Sequence, residues 1–193
     1  MKKNIILAIA FSAAVAIPSI ANASLTLSLM PSAQTVNVGN QASVDVWVNG
    51  VSSTADAVGG FTVYLNYNGS LVSLAPIFGS QLNEFTDSSA TASQAYASAF
   101  ASLSATSADL FASQVNSFKL VTFTFQTTVF GTSHLTLDGA SSLSNADGSA
   151  SLDFTIGRDA TLTAVPEPST CVAGLVTALL AAMPAVRRRF ARR

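Results

Sequence analysis

The chain is poor in the residues from which enzymes and metal proteins build their sites. It has one cysteine, one histidine and one tryptophan among 193 residues, and only 10% of its residues are charged. One cysteine excludes an intramolecular disulfide, and one histidine leaves few ways to assemble a catalytic or zinc site. The cysteine, Cys171, also lies in an apolar run near the C-terminus. We therefore expect no enzyme and no resident cofactor.

Basic residues are nearly absent from the middle of the chain. Residues 24–165 contain two of them, Lys119 and Arg158, against nine acidic residues. This gives the segment a formal charge of −7, which the whole-chain value of −1 conceals. Proteins bind the phosphates of nucleic acids through clustered lysine and arginine, so this composition argues against a nucleic-acid partner.

Residues 1–23 are predicted to form a signal peptide. Lys2–Lys3 precede an apolar stretch that ends at Ile17, and Ala21 and Ala23 are the small residues that a signal peptidase reads. The alternative, an uncleaved anchor helix, would need a longer run than Pro18 allows. We expect signal peptidase to be a processing partner and the rest of the chain to be exported.

Residues 164–193 combine three features in a fixed order. Pro166, Glu167 and Pro168 keep the backbone extended, and the uncharged apolar run 170–186 follows. As a helix this run would reach about 26 Å, the short end of a membrane span. Five arginines then act as a cytoplasmic stop under the positive-inside rule: Arg187, Arg188, Arg189, Arg192 and Arg193. An anchor that is never processed is the simpler alternative, but it does not account for the Pro-Glu-Pro turn.

This tail resembles the PEP-CTERM sorting signal. Val165-Pro166-Glu167-Pro168-Ser169-Thr170, the short span and the arginine cluster match its three parts in order. The resemblance implies recognition of Pro166–Pro168 by an exosortase, an integral-membrane cysteine transpeptidase. It also implies removal of the span and delivery from an inner-membrane intermediate to the surface or exterior of a Gram-negative, exopolysaccharide-making bacterium.

Between the two ends, apolar and polar residues alternate with a period of two. The pattern is clearest in residues 25–29, 35–38, 44–48, 61–67, 120–125, 135–137 and 152–156, and it predicts strands with one buried face. Turn signals separate the runs: Gly39-Asn40, Asn49-Gly50, Asn68-Gly69, Asp138-Gly139 and Asp147-Gly148. The sequence predicts an all-β, antiparallel, jelly-roll-like sandwich of about eight or nine strands.

The stretch 87–113 departs from this pattern. It is rich in Ala and Ser, with Tyr96, Phe100 and Leu103 at helical spacing, and residues 108–111 suit a helical turn. We expect a long, partly helical or irregular excursion. It is either a functional loop or a mobile Ser/Ala-rich connection.

The strand pattern of residues 25–162 resembles cohesin-like domains. The segments that carry the likeness are 27–29, 34–39, 42–48, 61–67, 118–125 and 131–133. The resemblance implies a nine-stranded jelly roll over residues 24–163, a fold shared with some carbohydrate-binding modules. Cohesins bind dockerins, but no dockerin-contacting position can be matched in this chain, and a fold alone does not establish a function.

Candidate ligand contacts are aromatic. Trp47 and Tyr64, with Tyr67 and Tyr96, would stack on sugar rings if exposed, although burial of Trp47 under a loop is slightly favoured. The only histidine, His134, lies on a predicted strand edge, which does not favour catalysis. Asp138, Asp147 and Asp153 are weak candidates for Ca²⁺ and better candidates for turn formation, since the dense acidic spacing of a calcium loop is missing. Glu84 and Asp87 form the nearest approach to a glycosidase carboxylate pair.

These features favour an exported, non-catalytic matrix or adhesion protein. The alternative is a module that binds exopolysaccharide or a partner protein through a sheet face or through residues 87–113.

Overall fold

The computed structural model describes residues 24–102 and 104–167. The predicted signal-peptidase residues Ala21 and Ala23, Pro168, the apolar run 170–186 and the arginines after it lie outside the described residues. The described part contains no helix with the length and hydrophobicity of a membrane span.

The described residues form fourteen strands, one α-helix and one 3₁₀ turn. The strands are β1 (Leu25–Met30), β2 (Ala33–Asn37), β3 (Gln41–Val51), β4 (Gly60–Asn66), β5 (Leu71–Ser73), β6 (Ile77–Phe78), β7 (Glu84–Ala90), β8 (Gln94–Phe100), β9 (Asn116–Thr127), β10 (Gly131–Leu137), β11 (Ser142–Ser144), β12 (Ser151–Leu152), β13 (Phe154–Ile156) and β14 (Ala160–Val165). The helix α1 is Ser107–Gln114, and the 3₁₀ turn is Thr54–Asp56.

The strands form two sheets. The first sheet has the order β13-β1-β3-β9-β5, with β6 also paired to β9. The second has the order β12-β11-β4-β10-β14-β2, with β8 paired to β4 and β7 paired to β8. The predicted all-β sandwich is confirmed.

The strand count and the strand directions differ from the prediction. Fourteen strands replace the expected eight or nine because several are fragments of two or three residues, and because β10 and β11 border the same edge of β4 with a turn between them. Two pairs are parallel, β1 with β13 and β2 with β14. The first two and the last two strands therefore run side by side, and both pairs pass from the first sheet to the second on one side of the sandwich. The last strand continues to Val165, two residues past the predicted domain end.

A single apolar core fills the space between the sheets, and it follows the alternation read from the sequence. In β1, β3 and β4 every second residue is buried, and the longest strand, β9, supplies Phe118, Leu120, Val121, Phe123 and Phe125. Phe61, Phe123 and Phe125 are the largest fully buried side chains. Burial of such residues stabilises the fold by about 1.5–3 kcal/mol each.

The stretch 87–113 is not a single loop. Its first half is the β7–β8 hairpin, so the helical spacing assigned to Tyr96 and Phe100 was wrong. Ala95, Ala97 and Ala99 point into the core, while Tyr96 and Phe100 lie on the other face of the strand. The helical turn predicted at residues 108–111 is confirmed within α1. Its start is fixed by a capping box in which Thr106 and Asp109 each accept a backbone N–H of the other, both at 3.2 Å.

The Asn49-Gly50 pair does not form the predicted hairpin turn. Strand β3 continues through it to Val51, and the register with β9 shifts between Asn49 and Val51. Gly50 has φ +93°, and a Cβ there would lie 3.0 Å from the Ser24 carbonyl oxygen. The glycine thus supplies a β-bulge rather than a turn.

Candidate functional site

The outward side of β4 and β8 carries a strip of aromatic side chains, Tyr64, Tyr96 and Phe100, which we call the aromatic face. On both strands these residues alternate with buried ones that enter the core. Tyr64 and Tyr96 are half-buried, and Phe100 is 41% exposed. At the edge of the sheet, Phe85 of β7 is 65% exposed and lies where the β7–β8 register shifts. Tyr64, Tyr96 and Phe100 thus place three aromatic side chains on one outward sheet surface.

Tyr64 and Tyr96 are directly opposite each other across the β4–β8 ladder. Their ring centroids are 5.2 Å apart and the rings are inclined at 39°. Cross-strand aromatic pairs at this spacing stabilise a sheet by about 0.5–1 kcal/mol and hold both rings in fixed positions. Next along the ladder, Thr62 and Ser98 form a hydroxyl–hydroxyl hydrogen bond of 3.3 Å. The centre of the face is therefore rigid before any partner binds.

Phe100 is held flat by a glycine. It pairs with Gly60, and a Cβ on Gly60 would lie 2.4 Å from Phe100 Cδ1. Because glycine has no side chain, the phenyl ring lies directly on the neighbouring backbone. The strand alternation already directs Phe100 outward, and the glycine lets its ring lie against the sheet.

The other end of the aromatic face is a hydrogen-bonded polar cluster. Asn66 Nδ2 donates to Asp138 Oδ2 at 3.0 Å, and Gln94 Nε2 donates to Asn66 Oδ1 at 2.9 Å. The Ala140 N–H donates to Asp138 Oδ1 at 2.9 Å. This backbone hydrogen bond, followed by that of Asn66, lowers the pKa of Asp138. Asp138 therefore remains a carboxylate beside the tyrosines in mildly acidic surroundings.

The Asn66→Ala variant is expected to raise the pKa of Asp138 without returning it to its ordinary value. The side-chain donor is lost, but the stronger influence, the Ala140 N–H, remains. A lowered folded-state pKa stabilises the fold above the unfolded pKa, and this stabilisation disappears as the pH falls through the folded-state pKa. NMR titration of the Asp138 carboxyl carbon measures the shift. An unchanged pKa of Asp138 would contradict the hydrogen bond from Asn66 to its carboxylate.

The charges around the aromatic face are all negative among the described residues. Glu84 and Asp87 lie on β7, and Asp138 follows β10. The two basic residues of residues 24–167 lie elsewhere, Lys119 on β9 of the first sheet and Arg158 beyond β13 next to β1. The face therefore combines apolar rings with a negative field, which suits a partner surface that carries lysine or arginine around apolar side chains.

The structure does not bring Trp47 and Tyr64 together. Trp47 is half-buried on the outer side of β3 in the first sheet, whereas Tyr64 belongs to the second sheet. The surface around Trp47 is polar and paired internally: Asp45 lies 3.6 Å from Lys119 Nζ and accepts a 2.5 Å hydrogen bond from Thr122. The predicted contact residues thus belong to opposite surfaces. Tyr67 is buried and packs edge-on against Phe125.

The other candidates occupy separate places. His134 is exposed on β10 opposite Thr161. Within residues 24–102 and 104–167 no group of three or more acidic, histidine or cysteine side chains is arranged to hold a metal ion. Asp138 and Asp147 accept backbone N–H groups two residues ahead, which confirms the turn role predicted for both. Glu84 and Asp87 lie on the exposed strand β7, and Asp153 is exposed between β12 and β13.

The sequence prediction missed Phe100 and Phe85 as surface aromatics and assigned Asp138 no part in a binding surface. The sequence signal for Phe100 was the strand alternation of residues 94–100, in which alanines alternate with Tyr96, Ser98 and Phe100. It is a strand pattern in which alanine takes the inward positions.

Of the predicted sorting motif, the structure describes Pro166 and Glu167. Both are exposed and follow β14 directly, outside any regular element. Val38 N–H donates to the Val165 carbonyl at 2.9 Å, and no strand pairing continues beyond that point in the described chain.

Solved structures that resemble this fold include cohesins. A non-cellulosomal cohesin of the archaeon Archaeoglobus fulgidus is 22% identical, with 78% of this chain and 96% of that chain covered and a TM-score of 0.53. The sixth cohesin of Acetivibrio cellulolyticus scaffoldin B, solved in complex with a Cel5 dockerin, is 11% identical, with coverages of 74% and 99% and a TM-score of 0.58. A type I cohesin–dockerin complex from Clostridium thermocellum is 8% identical, with coverages of 74% and 99% and a TM-score of 0.57. No protein-family model and no curated protein sequence matches the chain.

These likenesses establish a cohesin-like β-sandwich, and they confirm that resemblance at the level of the fold. At such identities they carry no residue-level assignment to this chain.

Proposed function

We propose that the domain is an exported, non-catalytic protein-binding module that uses the aromatic face. The observation that carries the proposal is the fixed row of Tyr64, Tyr96 and Phe100 on the outer surface of an acidic domain. Cohesin-like neighbours crystallised with dockerins support a protein partner in general terms.

The physical case depends on what exposed aromatic rings do at interfaces. Tyrosine and phenylalanine offer large contact area with only two rotatable side-chain bonds, so ordering them on binding costs little entropy. Tyr64, Tyr96 and Phe100 are already held by their cross-strand neighbours, which reduces that cost further. The face is also the outer surface of a sheet and not a cleft, and such a surface suits a protein better than a small molecule, which needs a concave site.

The partner is expected to carry basic residues around an apolar centre. The carboxylates of Glu84, Asp87 and Asp138 flank the rings, and such complementarity mainly raises the association rate. A dockerin-type domain is one candidate for this partner. The affinity should fall as the ionic strength rises, because the flanking carboxylates are exposed to solvent.

The Tyr96→Ala variant is expected to weaken binding at least about tenfold, as expected for a central aromatic anchor. The partner is first identified by photo-cross-linking in the producing cells, with benzoylphenylalanine placed at residue 96. Its affinity for the purified protein is then measured by isothermal titration calorimetry for the parent and the variant.

The matched control is Trp47→Ala, because Trp47 is a half-buried aromatic residue on the opposite sheet. It should change the affinity less than about twofold. Equal losses in both variants, or cross-linking at residue 47 but not at residue 96, would contradict the aromatic face as the binding site.

A carbohydrate ligand is the second candidate, and the Tyr64–Tyr96 pair favours it, since two adjacent rings form a surface on which sugars stack. A glycan array with and without Ca²⁺ distinguishes the two. Saturable binding that Tyr96→Ala removes would make exopolysaccharide the ligand. Binding removed by Trp47→Ala would instead place a sugar site on the first sheet.

We further propose that the tail sorts the protein to the cell surface or the exopolysaccharide matrix of a Gram-negative bacterium. The order of Pro166–Pro168, the apolar run 170–186 and the arginines supports this role, and so does the exposure of Pro166 and Glu167 outside any strand. Exosortase would be the processing enzyme, and the domain would then act in the matrix or in adhesion. Mass spectrometry of the released protein tests it, since a C-terminus at Arg193 would leave the tail as an anchor only.

A further inference from the structure

The turn between β9 and β10 exposes two large apolar residues at its tip. Val129 is 51% exposed, and Phe130 is 68% exposed, the highest value among the large hydrophobic residues that the structure describes. Nothing in the fold requires apolar residues there, since Gly131 at φ +140° already allows the chain to reverse.

This turn lies beside the point where the chain leaves the domain. A groove of about 310 Å³ is lined by Val38, Thr128, Val129, Phe130, Pro166 and Glu167. Hydrogen bonds fix the arrangement: Gly39 N–H donates to the Thr127 carbonyl at 2.9 Å, and Gly131 pairs with Ala164. The exposed tip and the start of the Pro-Glu-Pro motif therefore share one surface.

Four turns meet at this end of the sandwich, which we call the exit end: residues 38–40, 68–70, 91–93 and 128–131. Backbone hydrogen bonds join them to neighbouring strands and to one another, for example from Thr128 N–H to the Ser70 carbonyl at 3.0 Å. None of the four turns contains a charged residue. The opposite end carries Asp56, Asp109 and Asp147.

Four turns without a charged residue are notable on a domain with a formal charge of −7, because anionic lipid surfaces repel carboxylates. Glu167, which lines the groove beside Phe130, places a carboxylate next to these turns. The predicted span begins at residue 170, three residues beyond Glu167. Three extended residues reach about 10 Å. With the span in the bilayer, the exit end must therefore lie at the level of the lipid headgroups.

We propose, as an inference that rests on the proposed membrane span of the tail, that the Val129–Phe130 turn is a membrane-contact element that inserts to the headgroup–acyl boundary of a phospholipid bilayer beside that span. It would hold the domain upright and keep Pro166–Pro168 at the bilayer surface. The aromatic ring of Phe130 and the branched side chain of Val129 are apolar residues of the kind that interfacial segments bury. The aromatic face would then extend away from the membrane.

The test uses tryptophan fluorescence in the full chain reconstituted into vesicles of phosphatidylcholine and phosphatidylglycerol, with or without bromine on the acyl chains. Trp47→Phe removes the only native tryptophan. In that background Phe130→Trp should lose fluorescence at least about twofold in brominated vesicles, because bromine quenches an indole only in contact with the acyl region.

The matched control is Phe85→Trp. Phe85 is as exposed as Phe130, 65% against 68%, but lies level with Phe100 and Gly60 at the opposite end. Thr136 of β10 pairs with Asn66 of β4. Following β10 from Gly131 to Thr136 and then β4 from Asn66 to Gly60 gives a distance of about 35 Å between the turn and Phe85. Its fluorescence should be the same in both kinds of vesicle.

Leu180→Trp, within the predicted span, reports whether the tail is inserted. Quenching at residue 180 without quenching at residue 130 overturns the membrane-contact element and leaves the span in place. No quenching at either position overturns both. Equal quenching at residues 85 and 130 would indicate that the whole domain adsorbs to the vesicle. A Phe130→Trp signal that depends only on protein concentration would indicate self-association. Either result also overturns the proposal.

Discussion

Replacing Gln114 by leucine is expected to lower the free energy of unfolding by about 2–4 kcal/mol, because it leaves a buried backbone donor and acceptor unpaired. Gln114 is the last residue of α1 and is fully buried. Its Oε1 accepts the Val58 N–H at 2.8 Å, and its Nε2 donates to the Val58 carbonyl at 2.8 Å. The side-chain amide thus makes the pair of hydrogen bonds that a neighbouring strand would make with Val58, and it joins α1 to the segment before β4.

Leucine matches glutamine in size, so the loss would come from unpaired polar groups and not from a cavity. Urea unfolding followed by circular dichroism gives the free energy, and the slope m should stay the same, since the surface exposed on unfolding does not change. Gln114→Glu keeps the acceptor but places a carboxylate in a buried site, and it should be at least as destabilising.

Gln81→Leu is the matched control. Gln81 Nε2 also donates to a backbone carbonyl, that of Ser113, at 2.9 Å, but this hydrogen bond is exposed. Water replaces it at little cost, so we expect a loss below about 1 kcal/mol. If Gln81→Leu and Gln114→Leu lower the free energy of unfolding by similar amounts, the buried hydrogen bonds to Val58 are not the source of the stability that Gln114 provides.

The core strands could be predicted because one face of each is filled by large aliphatic or aromatic residues. In β3, Val44, Val46 and Val48 are buried at 2% exposure or less, as their alternation indicates. Strand β8 could not be read in the same way. Its inward residues are alanines, which favour helices, and they fit only because Phe61 and Phe123 supply bulk to the shared core.

The candidate site was less accessible to prediction, because its parts are distant in sequence. Asn66 lies 28 residues from Gln94 and 72 from Asp138. Alternation shows which residues of a strand face outward, but not which sheet the strand joins. Trp47 and Tyr64 therefore appeared as equal candidates, although they lie on opposite sheets.

Replacing Pro166, Glu167 and Pro168 together by alanine is expected to abolish the removal of the tail that we propose. The two prolines have no backbone N–H and a fixed φ, so we expect the wild-type segment after β14 to be extended. Three alanines would instead let helix extend from residue 170 back toward Val165, since alanine has the highest helix propensity. A membrane protease or transpeptidase needs an extended substrate, so cells should retain the chain uncut up to Arg193. Mass spectrometry of the membrane and released fractions gives the C-terminus.

Pro184→Ala is the control for this experiment, because it removes a proline from the tail and leaves the motif intact. Under the proposed processing, this variant and the wild type should give the same trimmed and released product, since a proline near the end of the apolar run is not part of the segment that an enzyme would bind. Loss of release in Pro184→Ala as well would point to a general effect on membrane insertion. If the triple-alanine cells release the same trimmed product as the wild type, the Pro-Glu-Pro segment is not the recognition element. The arginines and the apolar run would then be left as an ordinary stop-transfer anchor.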